Sequence, residues 1–273
     1  MTTIYSARRI LTMNPANPEA THVAVREGRI LGAGTLEELA GWGDYELDDR
    51  FADKVLMPGF VEGHSHAREG IAWRGVYCGN FERMDPDGKV WDGMKFLNAI
   101  VERVKERDRA LDDPSAPVSG WSFDPIYYGD RKWGRVDLDA VSTTRPIGVH
   151  HASGHIIYVN TKALELAGLL RTGINHPGVP LGTDGLPTGE MKGPEAMTLV
   201  GLHVGIDRAT MAADEDGFRQ FARMCVRKGV TTATDLGNYL RDDALQMMLR
   251  VTGEETFPTR IVSLRRFENH TPR

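Results

Sequence analysis

The sequence predicts an α/β fold, and three observations carry that prediction. In the second half of the chain, helical stretches close on glycine and pass directly into β-branched strands: "DEDGFRQFARMCVRKG" runs into "VTTATDLG", and "RDDALQMMLRVTG" into "PTRIVSL". Residues 1 to about 55 read instead as short strands joined by tight turns. The chain has 273 residues, 41% hydrophobic and 26% charged, enough to bury a substantial core. Helix-glycine-strand alternation argues for βα units on a parallel sheet or barrel.

The elements follow in order. "THVAVREGRILGAG" alternates apolar and polar positions and turns at Glu27-Gly28, a hairpin with glycine in the turn. "TLEELAGWG" has Thr35 as a cap and a Glu at the third helical position, so a short helix is expected. "RFADKVLMPGFVEGHSH" then runs extended and apolar into two histidines. "DGMKFLNAIVERVKERDRAL" places Phe96, Leu97, Ile100, Val101 and Val104 at helical spacing. "DDPSAPVSGWSFDPIYYGDRKWGR" is rich in turn formers and aromatics and reads as a loop packed over something. "RPIGVHHASGHIIYVN" reads as a strand, a turn at Ser153-Gly154 and a second apolar segment, with "TKALELAGL" as a helix capped by Thr161. "RTGINHPGVPLGTDGLPTGEMKG" is loop or hairpin, and "PEAMTLVGLHV" is helical from a proline in its first turn. The amphipathic helix of "DEDGFRQFARMCVRKG" closes at Gly229.

Composition narrows the partners. A net charge of -5 argues against nucleic acid or an anionic membrane. Cys78 and Cys225 lie far apart and form no CxxC pair, so no disulfide framework is expected and a reducing cytoplasm is the default. The N-terminus lacks the apolar core of a secretion signal, and no apolar run approaches the roughly 20 residues that cross a bilayer. A small-molecule substrate in a cytoplasmic protein is the expectation.

The stretch "MPGFVEGHSH" carries the chemistry. In a strand, alternate side chains share a face, so His64 and His66 point the same way and Ser65 points to the other. Two imidazoles about 6 to 7 Å apart on one face can converge on one metal ion. Two surface histidines in a turn is the plainer reading. The apolar run before them favours a ligand pair, because an exposed loop has no use for such a run.

Beyond the pair itself, "VLMPGFVEGHSH", preceded by a β-rich segment ending near "YELDDRFADK", resembles the metal-dependent amidohydrolase superfamily. "GVHHASGHIIYVNTKALELAGL", "DGLPTGEMKGPEAM" and "KGVTTATDLG" resemble its amidohydrolase family 3 branch, which includes N-substituted formamide deformylase-like proteins. The resemblance spans essentially the whole chain. It implies a β-sandwich segment over residues 1–55 and, over 56–273, a partial TIM-type (β/α) barrel with an insertion at about 68–150. It also implies one or two divalent ions, usually zinc, and hydrolysis of a C–N bond. His64 and His66 match the metal pair on the first barrel strand. His155 matches a histidine near the active site that could bind substrate. His151 is open between substrate contact and a structural bond to its loop.

One match departs from the pattern. Relatives commonly carry a bridging Glu where this chain has Gly193. Lys192, as a carbamate, is the slightly favoured replacement in the metal site, with Glu190 and Glu195 as the alternatives and ordinary loop charges as the plain one. Asp235 either reaches the site or caps a turn. The resemblance further implies two metal-binding histidines and a catalytic Asp on strands beyond Arg273, since an eight-unit barrel needs about 250 residues on its own. His270 stands in a polar tail. No catalytic residue is therefore assigned within this chain; a complementing chain, a homo-oligomer or a missing C-terminal half is expected to complete the site, and a partner or self-association to cover open strand edges. The leading expectation is a metal-dependent hydrolase of an amide or formamide bond that uses metal-activated water. The alternatives are a non-catalytic binding or assembly protein retaining the fold, and an isomerase or deaminase on the same scaffold. The aromatic stretch from Trp121 to Trp133 either lines a pocket or plugs the core.

Overall fold

The computed structural model describes residues 1–129, 131, 133–206, 214–238 and 241–265, and His270 lies outside them. The chain divides into two compact units, Met1–Phe60 and Val61–Arg273.

The first unit is a four-stranded sheet of β1 (Thr2–Leu11), β2 (Glu19–Arg26), β3 (Arg29–Gly34) and β4 (Tyr45–Leu56), in the order β3-β2-β1-β4. β1 runs antiparallel to β2 and parallel to β4. The β2–β3 turn has both central residues at positive φ, Glu27 at 51° and Gly28 at 71°. That is the backbone twist two-residue hairpins require, and glycine adopts it without steric cost. Helix α1 (Leu36–Ala40) begins on the expected capping box: Thr35 Oγ1 accepts from Glu38 N–H and Glu38 Oε2 accepts from Thr35 N–H. It buries Leu39 against Ile4 and Ala24.

The second unit is built on two main sheets. Strand β5 (Phe60–Ser65) leads into a 3₁₀ helix, Ala67–Arg74. After β6 (Val76–Tyr77) and the small ladder of β7 (Arg83–Met84) with β8 (Val90–Trp91), helix α2 (Leu97–Arg109) returns the chain to β9 (Val118–Phe123). Helix α3 (Arg135–Asp139) precedes β10 (Ile147–His151) and β11 (Ile156–Val159). Helix α4 (Thr161–Leu166), β12 (Glu190–Lys192) and α5 (Gly193–Gly201) follow. Strands β6, β9 and β10 run parallel, β11 and β12 antiparallel, in a five-stranded sheet ordered β12-β11-β10-β9-β6. The last described elements are α6 (Glu215–Arg227), β13 (Val230–Asn238), α7 (Asp242–Thr252) and β14 (Arg260–Arg265). β13 and β14 are parallel and joined through α7, the βα unit read from the sequence. With β5 they form a three-stranded sheet ordered β14-β13-β5.

Apolar periodicity accounts for the packing. Ile100 and Val104 of α2 bury against Val118, Phe123, Ile147 and Val149 of the sheet. On the other side, Ala196 and Val200 of α5 pack with Ile157 and Val159. Near the histidines, α6 crosses the 3₁₀ helix at two glycines. A Cβ on Gly70 would lie 2.0 Å from the Gly217 carbonyl oxygen, so close approach, and not a turn, fixes this residue.

Two local expectations are corrected. The stretch expected as a loop holds β9, because Val118, Gly120 and Phe123 face a core that an exposed loop would lack. Helix α4 is capped by Asn160 and not Thr161: the Asn160 amide oxygen accepts from Ala163 N–H, while the Thr161 hydroxyl donates to Asp139. Cys78 and Cys225 are free thiols. Among the described residues no helix is long and apolar enough to cross a membrane.

Candidate metal and substrate site

Strand β5 delivers the histidine pair. Ser65 turns to the opposite side, where its hydroxyl donates to the Thr234 carbonyl at 2.9 Å. The rings of His64 and His66 lie edge to face with centroids 5.5 Å apart, as the alternation of a strand requires. His66 Nδ1 is 2.6 Å from the Leu236 carbonyl oxygen. A carbonyl only accepts, so Nδ1 carries the proton and Nε2 keeps its lone pair. That is the arrangement in which a metal-ligating histidine is oriented by a second bond. The pair therefore fits a divalent ion as two of its ligands. Among the described residues no set of three or more His, Cys, Asp or Glu side chains converges as a complete metal site.

Asp235 holds this corner together. It is fully buried on β13, and its carboxylate accepts from Ala67 N–H at 2.9 Å and from the Ser263 hydroxyl at 3.1 Å. The cap it provides is for the 3₁₀ helix that follows His66, across 168 residues of sequence.

A cleft of about 500 Å³ opens beside His66. It gathers His66, His151 and His155, together with His150, which lies in the same motif as His151 but was given no role there. His151 is committed to its surroundings: Nδ1 accepts from Ser153 N–H at 2.9 Å, and Nε2 lies 3.6 Å from Asp124 Oδ1. His155 is exposed at the cleft, its backbone tied to Ser153 Oγ and Gly193 N–H. Lys192 Nζ lies 3.2 Å from the buried Glu190 carboxylate, and neither side chain lines the cleft. Gly193 has φ 77°, a conformation a glutamate would adopt only with strain.

The aromatic stretch divides between both expectations. Trp133 is buried in the core, while Trp121 lines the cleft. Between Gly120 and Phe123 the β9–β10 register slips, and Ser122 there sits at φ 72°. A left-handed serine costs about 1 to 2 kcal/mol, and the bulge it makes re-aims the neighbouring side chains. Trp121 packs against Trp73 and Tyr77 at 4.8 and 5.0 Å between centroids. Under this wall, burial pushes the Cys78 thiol up to about 12, so it stays protonated. Burial, with Glu190 and Asp124 adding to it, likewise raises the Tyr158 phenol to about 12.

Residues 52–271 match the model of the amidohydrolase family. The chain belongs to that family, in its family 3 branch. It is 26% identical to Protein LONG AFTER FAR-RED 3 of Arabidopsis thaliana over 242 residues, 84% of this chain and 37% of that one. It is 27% identical to the N-substituted formamide deformylase of Arthrobacter pascens over 164 residues, 59% of this chain and 28% of the enzyme. A crystal structure of an uncharacterized metal-dependent hydrolase from Pyrococcus horikoshii OT3 superposes with a TM-score of 0.63 at 17% identity. That match covers 97% of this chain and 48% of the hydrolase, and it speaks to fold alone. The chain thus spans well under half the length of these curated relatives.

Proposed function

We propose that this amidohydrolase-family chain forms part of a metal-dependent hydrolase acting on an amide or formamide C–N bond of a small molecule. The observation that carries the reading is the His66 ring, fixed by the Leu236 carbonyl with its free Nε2 beside His64 and next to a cleft. His64 and His66 supply two ligands to a divalent ion of the zinc type, which favours three or four. The others come from polypeptide outside the described residues, in the same chain or a partner. When bound, the ion supplies a water acidified to a pKa of about 7. The chain's own residues supply position: His155, exposed at the cleft, donates to the substrate, while His151 holds the 151–155 turn in shape. Lys192 joins the ligands only as a carbamate and only by leaving Glu190.

Elemental mass spectrometry of protein purified without added metal and without a chelating tag tests this. The expected result is about one ion per chain, lost in His66→Ala and His64→Ala. Metal content unchanged in Lys192→Ala would leave that lysine in its ion pair. A second reading, a binding protein that keeps the fold without catalysis, is favoured by Gly193 where relatives carry a bridging glutamate. Folded wild-type protein that takes up no zinc would establish it over the hydrolase.

A further inference from the structure

Besides its histidines, the cleft carries a cationic wall. Among the described residues, Arg68, Arg74 and Arg83 line it against a single carboxylate, Glu69, on a chain whose net charge is -5. Arg74 is committed to Asp214 and Asp216. Arg83 makes no ion pair among the described residues, and its guanidinium carbon stands 5.2 Å from the centroid of the Trp121 ring.

That placement is supported from below. Trp121 is wedged against Trp73 and Tyr77 and set by the bulge at Ser122, so the surface under the guanidinium is rigid. A guanidinium stacked on an indole loses little freedom on binding, and its planar fork matches the two oxygens of a carboxylate. The rest of the lining is apolar where it is contributed by Ile157, Met197 and Ile206.

We propose that Arg83 is a specificity residue that clamps a carboxylate of the ligand, whose apolar body lies against Trp121, Ile157 and Met197. The proposal rests on the reading of the cleft as a substrate site, and it narrows the substrate to amides that also bear a carboxylate. Fields focused in a cleft favour such a ligand even on an acidic protein.

The test uses benzoate and benzamide, which match in shape and differ in charge. The Trp121 indole N–H is buried and makes no hydrogen bond among the described residues, so its ¹H–¹⁵N resonance, assigned with Trp121→Phe, reports on the cleft. Benzoate is expected to shift it saturably and to bind roughly tenfold or more tightly than benzamide. Arg83→Met is expected to abolish that preference while the other indole resonances stay in place, and Arg83→Lys to restore only part of it. Equal responses to the two ligands, no response to benzoate, or a preference that survives Arg83→Met would each overturn the proposal. Zinc content measured on the same samples separates the two readings. Zinc uptake without a benzoate response sinks the carboxylate clamp alone, and a benzoate response without zinc sinks the metal reading alone.

Discussion

The five-stranded and three-stranded sheets of the second unit carry different parts of the site and are held in different ways. In the first, Ile147, Val149, Ile157 and Val159 are all at most 1% exposed, with helices packed on the faces they share. In the second, Val61, Val262 and Leu264 remain 45 to 70% exposed. What fixes the second sheet around the histidines is a set of directional bonds: Ser65 to Thr234, His66 to Leu236, and Asp235 to Ala67 and Ser263. The cleft wall thus rests on apolar burial, and the histidine pair on hydrogen bonds. Damage to the two should register differently, as lost stability in one and lost geometry in the other.

The largest effect is expected at the five-stranded sheet. Asn160 is fully buried; its oxygen accepts from Ile147 and Ala163 N–H, and its amide donates to the Ser142 and Arg145 carbonyls. Asn160→Ala strands four backbone groups, three of them in buried bonds, and should cost about 3 to 5 kcal/mol, read as a drop in the midpoint of urea unfolding. A smaller cost would mean the sheet is less dependent on this node than its geometry says.

Alkaline pH probes the same region. Cys78 is raised from 9.0 to about 12 by burial, so the fold favours its protonated form. That contribution is whole below pH 9.0 and is lost as pH climbs toward about 12. Melting temperature should fall from pH 9.0 upward, and Cys78→Ala should make the fall shallower. Tyr128, Tyr158 and Cys225, raised in the same direction by burial, keep some slope in the variant.

At the three-stranded sheet the expected cost is lower and the functional readout larger. Ser263→Ala removes one donor to Asp235 and should cost about 1 kcal/mol of stability, yet weaken zinc uptake by more than that loss of folding explains. Equal losses in both readouts would erase the contrast between the sheets. The smallest effect is at the bulge, where Ser122→Gly should stabilise by about 0.5 to 1 kcal/mol by relieving the left-handed backbone. Thermal melts resolve it. The same variant should loosen Trp121 and flatten the benzoate response.

Local patterns made much of this legible in the sequence. The Glu27-Gly28 hairpin, the Thr35 capping box, α2, α6 with Gly229, and the β13–α7–β14 unit all follow from short-range signals. So did the HxH pair, because a period of two needs only three residues to state. Strand β9 was hidden because its core contacts are with segments tens of residues away, and its bulge breaks the alternation. Arg83 carried no signal and His150 only its place in a motif, since a cleft wall assembled from separate segments has no spacing along the chain. For Lys192 and Gly193 the motif gave position without environment: the ion pair with Glu190 and the φ of 77° belong to tertiary structure.

The bonds that hold the histidine pair also set a schedule. His66 is synthesised before its orienting carbonyl, which lies 170 residues later, and the partners of Ser65 and Ala67 lie 169 and 168 residues later. At a translation rate of roughly 5 to 20 residues per second, the wait is on the order of 10 to 30 s. Through that interval the two imidazoles lack the bonds that orient them in the fold. Closure of β13 over β5 is the moment at which the two rings become fixed, so under the function proposed above any discrimination between ions by geometry begins only then.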